Sequence, residues 1–174
     1  MATPITYVPP RLTALLRTGQ EYAPLVLRLG LGLMILPHGT QKLLGWFGGY
    51  GFTGTLQFFT ETMGIPWLFG FLAIMAEFFG GLALLIGALT RLAALGVGIV
   101  MLVAAWTSHL QNGFFMNWYG NQAGEGVEFH LLALAMALAL IICGGGYASL
   151  DTYLRRPPAQ ADGRERLITR QYGA

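Results

Sequence analysis

Charge is what this sequence has least of. Only 10% of its 174 residues are Asp, Glu, Lys or Arg, against 55% hydrophobic ones; a soluble domain carries about 25% charged residues. That deficit argues against a water-facing surface and suits a chain whose outside meets lipid. Cysteine is almost missing: Cys143 is the single one. It excludes an internal disulfide, a CxxC redox pair and a four-thiolate metal site, so any redox chemistry has to use a bound cofactor or a partner protein. Within its apolar run Cys143 reads as a small buried residue. A net charge of +2 is too small to suggest nucleic-acid binding. Polar-apolar alternation is absent over the length of the apolar runs, which argues against barrel strands. An open sheet is excluded because backbone groups in lipid must pair within a helix or a closed barrel. The N-terminal stretch has no apolar segment followed by a small-residue cleavage site, so it does not read as a signal peptide.

What is there is apolar length. Four runs, at about 24–47, 66–89, 92–110 and 128–147, are each near the ~20 residues a helix needs to cross the hydrocarbon core. The fold class is therefore an all-α membrane protein, a four-transmembrane-helix bundle over 24–151. A leader over 1–23, with a short surface helix or a mobile segment around Leu12, Leu15 and Leu16, precedes it, and a basic tail over 152–174 follows. Only Thr90 and Arg91 separate the second and third runs, which makes them a tight antiparallel hairpin. Arg11 and Arg17, Arg91, and the arginines from Arg155 onward share one side, while the other two connections hold no Lys or Arg. The arginine-rich side is cytoplasmic, which places both termini inside.

The outer connections carry their own patterns. Phe52, Leu56, Phe59 and Met63 recur at helical spacing and predict a short interfacial helix with one apolar face. Phe114, Phe115, Trp118 and Tyr119 suit the headgroup layer.

Ionisable residues inside apolar runs point to function, because a charge at mid-membrane costs about 2.5–3.5 kcal/mol on insertion scales. Glu77 falls near the middle of the second run and is too short to snorkel. His38 and Lys42 stand four apart, on one face of the first helix. Arg28 lies fourteen residues before Lys42, towards the cytoplasmic end. His109 closes the third run, and Glu128 and His130 open the fourth. By depth, His38, Lys42, His109, Glu128 and His130 belong to the outer half with Glu77 as their floor, which forms an outward-facing polar pocket if these faces turn inward. Pro37 kinks the first helix beside it. Arg28 and Lys42 snorkelling to the two interfaces, structural histidines, and a Glu77 pair with Arg28 or Lys42 are the non-functional alternatives. Two chemistries suit the pocket: a quinone headgroup held by histidines with Glu77 or Glu128 relaying protons, or two histidines ligating haem iron. The three histidines have no spacing specific for haem, and no HExxH spacing supports zinc.

These residues also carry a likeness. Leu27-Arg28-Leu29-Gly30, His38-Gly39-Thr40-Gln41-Lys42-Leu43, Gly45-Trp46-Phe47, Glu77 with Gly80 and Gly81, Thr90-Arg91, His109, Asn112-Gly113-Phe114-Phe115, Gly126-Val127-Glu128 and Ser149-Leu150-Asp151 together resemble the DoxX family of small bacterial membrane proteins. One departure is Gly144-Gly145-Gly146-Tyr147-Ala148, where the family often carries an arginine. The resemblance implies a four-helix protein of the bacterial cytoplasmic (inner) membrane linked to redox physiology. Its relatives look like membrane partners of oxidoreductases, including a thiosulfate:quinone oxidoreductase subunit, and factors in oxidant stress. The leading expectation is a redox component that binds a quinone or similar small amphiphile. Glu77 and Glu128 then handle protons, and Arg28, His38, Lys42, His109 and His130 bind the ligand. Whether it is itself a catalyst, a quinone-linked oxidoreductase subunit, stays open. So do a non-catalytic scaffold for an oxidoreductase and a small transporter, for which homo-oligomers would pack through small residues such as Gly80 and Gly81.

Overall fold

The computed structural model describes residues 22–154, and in these every regular element is a helix. The leader around Leu12 to Leu16, Arg11 and Arg17, and the tail from Arg155 onward lie outside the described residues. Helix α1 is Ala23–Leu44, α2 is Gly51–Gln57 with a π turn through Phe58–Thr62, and α3 is Trp67–Ile86. Helix α4 is Thr90–Ala104, continued by a π turn (Ala105–His109) and a 3-10 turn (Leu110–Asn112). Helix α5 is Glu128–Cys143 and α6 is Leu150–Leu154. By length and composition, α1, α3 and the α4 continuation to Asn112 are long and apolar enough to cross a membrane; α5 is shorter.

The helices stop before the apolar runs do. Gly45, Gly87 and Gly144 take positive φ at the ends of α1, α3 and α5, a conformation that glycine adopts without a Cβ clash. Trp46, Phe47 and Leu89, apolar like the spans, therefore fall in connections.

The four long helices close a ring: α1 packs on α3, α3 on α4, α4 on α5, and α5 back on α1. Leu31, Ile35, Leu84, Val97, Ala133, Ala137 and Leu140 form the core, all nearly inaccessible. Glycine sets the spacing between helices. A Cβ on Gly81 would stand 3.1 Å from Leu36 Cα, and one on Gly80 3.1 Å from a Val97 methyl, so neighbouring backbones approach closely where no side chain intervenes. The outward ring surface is aliphatic and aromatic: Val26, Leu33, Phe79, Ile99, Leu102, Leu132 and Ile142 are all more than half exposed. Such a surface is stable against lipid tails and unfavourable against water. Cys143, expected to be buried, is exposed on this surface, because the last turn of α5 projects it away from the ring.

Helix α2 lies across the end of the bundle with the expected face turned down. Leu56 is buried, Phe59 meets Gly70, and Phe52 sits edge-on to Phe71 with centroids 6.3 Å apart.

Candidate functional site

Two cations on α1, one buried and one partly exposed, lie in different surroundings. Arg28 is 2% exposed. Its Nε donates to Gly145 O (3.1 Å), one terminal nitrogen donates to Leu84 O (3.2 Å) and Leu85 O (2.5 Å), and the other to Tyr147 O (3.2 Å) and Ala148 O (2.7 Å). The guanidinium thus ties the end of α3 to the glycine-rich segment after α5 by satisfying carbonyls those helix ends leave unpaired. Asp151 completes this end. Its carboxylate accepts the amides of Leu89 (2.7 Å) and Thr90 (2.8 Å), capping α4, and its own amide donates to Gly87 O (2.9 Å).

Towards the other end, Lys42 Nζ lies 2.6 Å from Glu77 Oε2, with side chains 27% and 4% exposed. The pair exists because Gly39 lets α1 and α3 touch backbone to backbone. A Cβ at Gly39 would sit 2.6 Å from Phe78 N and 2.7 Å from Glu77 C. One turn further along α1, Lys42 reaches across to the acid. In a lipid-enclosed bundle each charge of this pair offsets the desolvation of the other. Among the described residues, Glu77 is the one partner recorded for the Lys42 ammonium, which leaves two of its three donors for other groups.

One histidine neighbours the pair, and two more lie together beyond it. His38 lies within electrostatic reach of Lys42 and Glu77, and His130 within reach of His109 and His38. The His109 and His130 rings lie 4.1 Å apart, centroid to centroid. His109 ends the π turn of α4, whose extra residue rotates it off the register a regular helix would give, a frequent device at functional sites. His109 Nδ1 meets Glu125 O at 2.9 Å. A carbonyl only accepts, so Nδ1 carries a proton and donates it here, which leaves Nε2 as the ring nitrogen that faces other groups. His130 is 6% exposed and its Nδ1 has no hydrogen-bond partner among the described residues, an unusual state for a buried polar atom.

The structure therefore brings together Glu77, Lys42 and His38, and beside them His109 and His130. Arg28 is at the opposite end of α1, its donors on carbonyls. Glu128 opens α5 with a carboxylate oxygen accepting the Met116 amide at 3.2 Å, so it is engaged by the connection between α4 and α5. Two residues outside the candidate site set read from sequence support the site. Asn112 donates to Glu125 O (3.1 Å), the same carbonyl that orients His109, and the Glu125 carboxylate accepts the Asn117 amide. Among the described residues, no three His, Cys, Asp or Glu side chains converge to hold a metal ion. The His109 and His130 rings lie against each other, 4.1 Å between centroids, which leaves no room for both to hold one haem iron between them. Two open surface clefts, about 400 Å³ around Ser149 and Tyr153 and about 310 Å³ around Tyr50 and Glu61, are lined by other residues.

Residues 23–110 match the DoxX family model. The chain is 32% identical to the inner membrane protein YqjF of Escherichia coli over 142 residues, 79% of this chain and 95% of that one. It is 28% identical to an uncharacterized protein of Haemophilus influenzae over 140 residues, 79% of this chain and 87% of that protein. No solved structure matches it.

Proposed function

This chain belongs to the DoxX family and is a multi-pass protein of the inner membrane, and from that premise we propose that it binds the headgroup of a quinone or a similar small amphiphile at the Lys42–Glu77 pair, as the membrane component of a redox system. The observation that carries this reading is the pair itself. A lysine and a glutamate 2.6 Å apart, inside a bundle otherwise faced with apolar side chains, have His38 as a neighbour, and beyond it lie His109 and His130, the latter with a ring nitrogen that has no partner among the described residues. Ionisable groups inside a membrane bundle mark ligand or proton routes by default. The unused donors of Lys42 suit an acceptor oxygen such as a quinone carbonyl, and in this reading His38 and His130 donate to or accept from the same headgroup. Reduction of a quinone to the quinol takes up two electrons and two protons. The electrons would come from a partner oxidoreductase, and Glu77 with the histidines would supply protons.

The proposed topology has four spans with both termini cytoplasmic. Arg91 lies at the same end as Arg28 and Asp151, and the connections at the other end hold no Lys or Arg, the bias that sets orientation. Helix α5, 16 residues or about 24 Å long, is the fourth span; the shortfall is met by the 144–149 segment and the outer loop at its two ends, within the mismatch a bilayer tolerates.

The test is binding of decylubiquinone to the purified protein in mild detergent, with mass spectrometry of co-purified amphiphiles. Saturable binding that Glu77→Ala or Lys42→Ala abolishes in a folded protein supports the assignment. Unchanged binding in both variants overturns it.

A further inference from the structure

The four seams of the ring are not alike. Between α1 and α3, Gly32, Gly39 and Gly81 bring backbones into contact. Between α3 and α4, Gly80 meets Val97 and Gly96 meets Ala76, and between α4 and α5, Gly98 meets Ala137, all through short, stiff side chains. The α1–α5 seam is more sparsely packed than these three. There Gly30 meets only the tip of Met136, with a Cβ 3.2 Å from its methyl carbon, and methionine is the side chain that yields most readily. The seam is tied at one end, where Arg28 holds the carbonyls of Gly145, Tyr147 and Ala148. At the other end Pro37 interrupts α1, taking one amide out of the helix ladder.

His38 stands on this seam. It lies on the flank of α1 that carries Met34, away from the Gly32 and Gly39 flank that faces α3. Eight residues along α1 from Gly30 reach His38, and eight residues back along antiparallel α5 from Met136 reach Glu128, half a turn from His130. Yet His38 is exposed while its neighbours in the cluster, Glu77 and His130, are buried. Gly39, the next residue, is level with Glu77 and Phe78, the middle of α3. An exposed imidazole at that depth faces the bilayer, where an isolated polar group is unfavourable; as the lining of an opening, it has a role.

We infer that the α1–α5 seam is a lateral portal, and that the ligand is a lipid-dissolved molecule whose polar head enters from the bilayer past His38 to Lys42 while its hydrocarbon tail stays between α1 and α5. This rests on the headgroup reading above and adds the ligand class and its route. The occupant is a tailed quinone-like amphiphile, and its tail accounts for a sparsely packed seam in which Gly30 meets the yielding Met136, where glycines in the other three meet backbone or short side chains.

The experiment uses the full chain in phosphatidylethanolamine/phosphatidylglycerol liposomes with two probes, a decyl-tailed benzoquinone carrying a photoreactive diazirine in its tail and the tailless 2,3-dimethoxybenzoquinone. The portal predicts photolabelling confined to residues 30–38 and 130–136, at least tenfold weaker binding of the tailless probe, and at least tenfold less labelling in Lys42→Ala. Met34→Trp, which fills the seam, is expected to slow uptake of the tailed probe and leave the tailless one unaffected. Labelling on 50–62 or 114–119, or equal binding of both probes, means entry from the aqueous side; the portal then fails and the headgroup site stands. Seam labelling that Lys42→Ala leaves unchanged means ordinary bilayer lipid fills the groove, which also overturns the portal. Absence of saturable binding by either probe overturns the headgroup reading and the portal with it.

Discussion

Arg28 and Lys42 share a helix, a face and a positive charge, yet the protein treats them differently. Arg28 is surrounded by five carbonyl oxygens from two other segments, and the fork of its guanidinium matches them so fully that little of it is left for a ligand. Lys42 meets one carboxylate oxygen and keeps donors in hand. A buried cation whose donors are all taken is architecture; one with donors to spare, beside histidines and a partnerless ring nitrogen, has the makings of a site. The arginine-for-lysine choice follows the chemistry, since a planar five-donor fork suits several fixed acceptors and a compact ammonium suits one partner and an exchangeable second.

If that contrast holds, the two cations must fail differently. The largest effect belongs to Arg28. Arg28→Leu leaves several buried carbonyls without a donor and should lower stability by about 3–5 kcal/mol, the range for breaking a buried charged network. Arg28→Lys should recover only part of it. Thermal unfolding in detergent measures both, and a near-neutral Arg28→Leu would remove the architectural half of the comparison.

Gly39→Ala comes next. Its Cβ would stand 2.6 Å from Phe78 backbone atoms, which cannot move as a flexible side chain does, so α1 must shift. Overpacking of this kind costs about 1–3 kcal/mol. The shift also carries Lys42 off Glu77, so ligand binding should fall further than the stability loss accounts for.

The Lys42–Glu77 pair should show a smaller stability effect and a larger functional one. Glu77→Gln leaves Lys42 without its counter-charge, but the lysine is partly exposed, so the loss should be only about 1–2 kcal/mol, below the figure for a fully buried pair. The double variant Lys42→Met with Glu77→Gln should regain most of that stability while decylubiquinone binding stays lost. A double variant that regained binding would show that the charges are structural alone.

Much of this arrangement can be read from the chain, and the limits are physical. Glu77 stands out because a short acid at mid-span has no route to water. The four-residue spacing of His38 and Lys42 puts them on one face, and the fourteen residues back to Arg28, about 21 Å at helical rise, place it at the other end. What spacing cannot give is helix rotation. The choice of Lys42 over Arg28 as the partner of Glu77 depends on the Gly39 contact, and the approach of the His109 and His130 rings on a π turn that regular periodicity does not anticipate. Glu125 orients His109 through its backbone carbonyl, which every residue has, so its side-chain identity carries no signal for that contact; Asn112 reaches the same carbonyl with its side-chain amide across a loop whose path spacing does not give. The span ends were blurred because Trp46, Phe47 and Leu89 are as apolar outside the helices as their neighbours are inside; only the positive φ of Gly45, Gly87 and Gly144 separates them.

The smallest expected effect tests the Arg28 end through Asp151, which lies beyond the spans. Burial alone would raise this carboxyl, but the Thr90 backbone and side chain, the Leu89 amide and the Arg28 charge outweigh it and hold the value below the ordinary 3.8. The folded state thus binds this proton more weakly than the unfolded chain does. The resulting stabilisation is fully present above about pH 4 and is lost as pH falls through the lowered folded value. Because Asp151 is partly exposed, solvent screening keeps the contribution to under about 1 kcal/mol. Other carboxylates titrate in the same acid range, so the informative quantity is the difference in unfolding temperature between wild type and Asp151→Asn. That difference should be constant from pH 7 to about 5 and shrink below 4. Were it to stay constant into acid, the cap on α4 would rest on hydrogen bonds that the amide also makes, and the charge that faces Arg28 would add nothing to this end of the bundle.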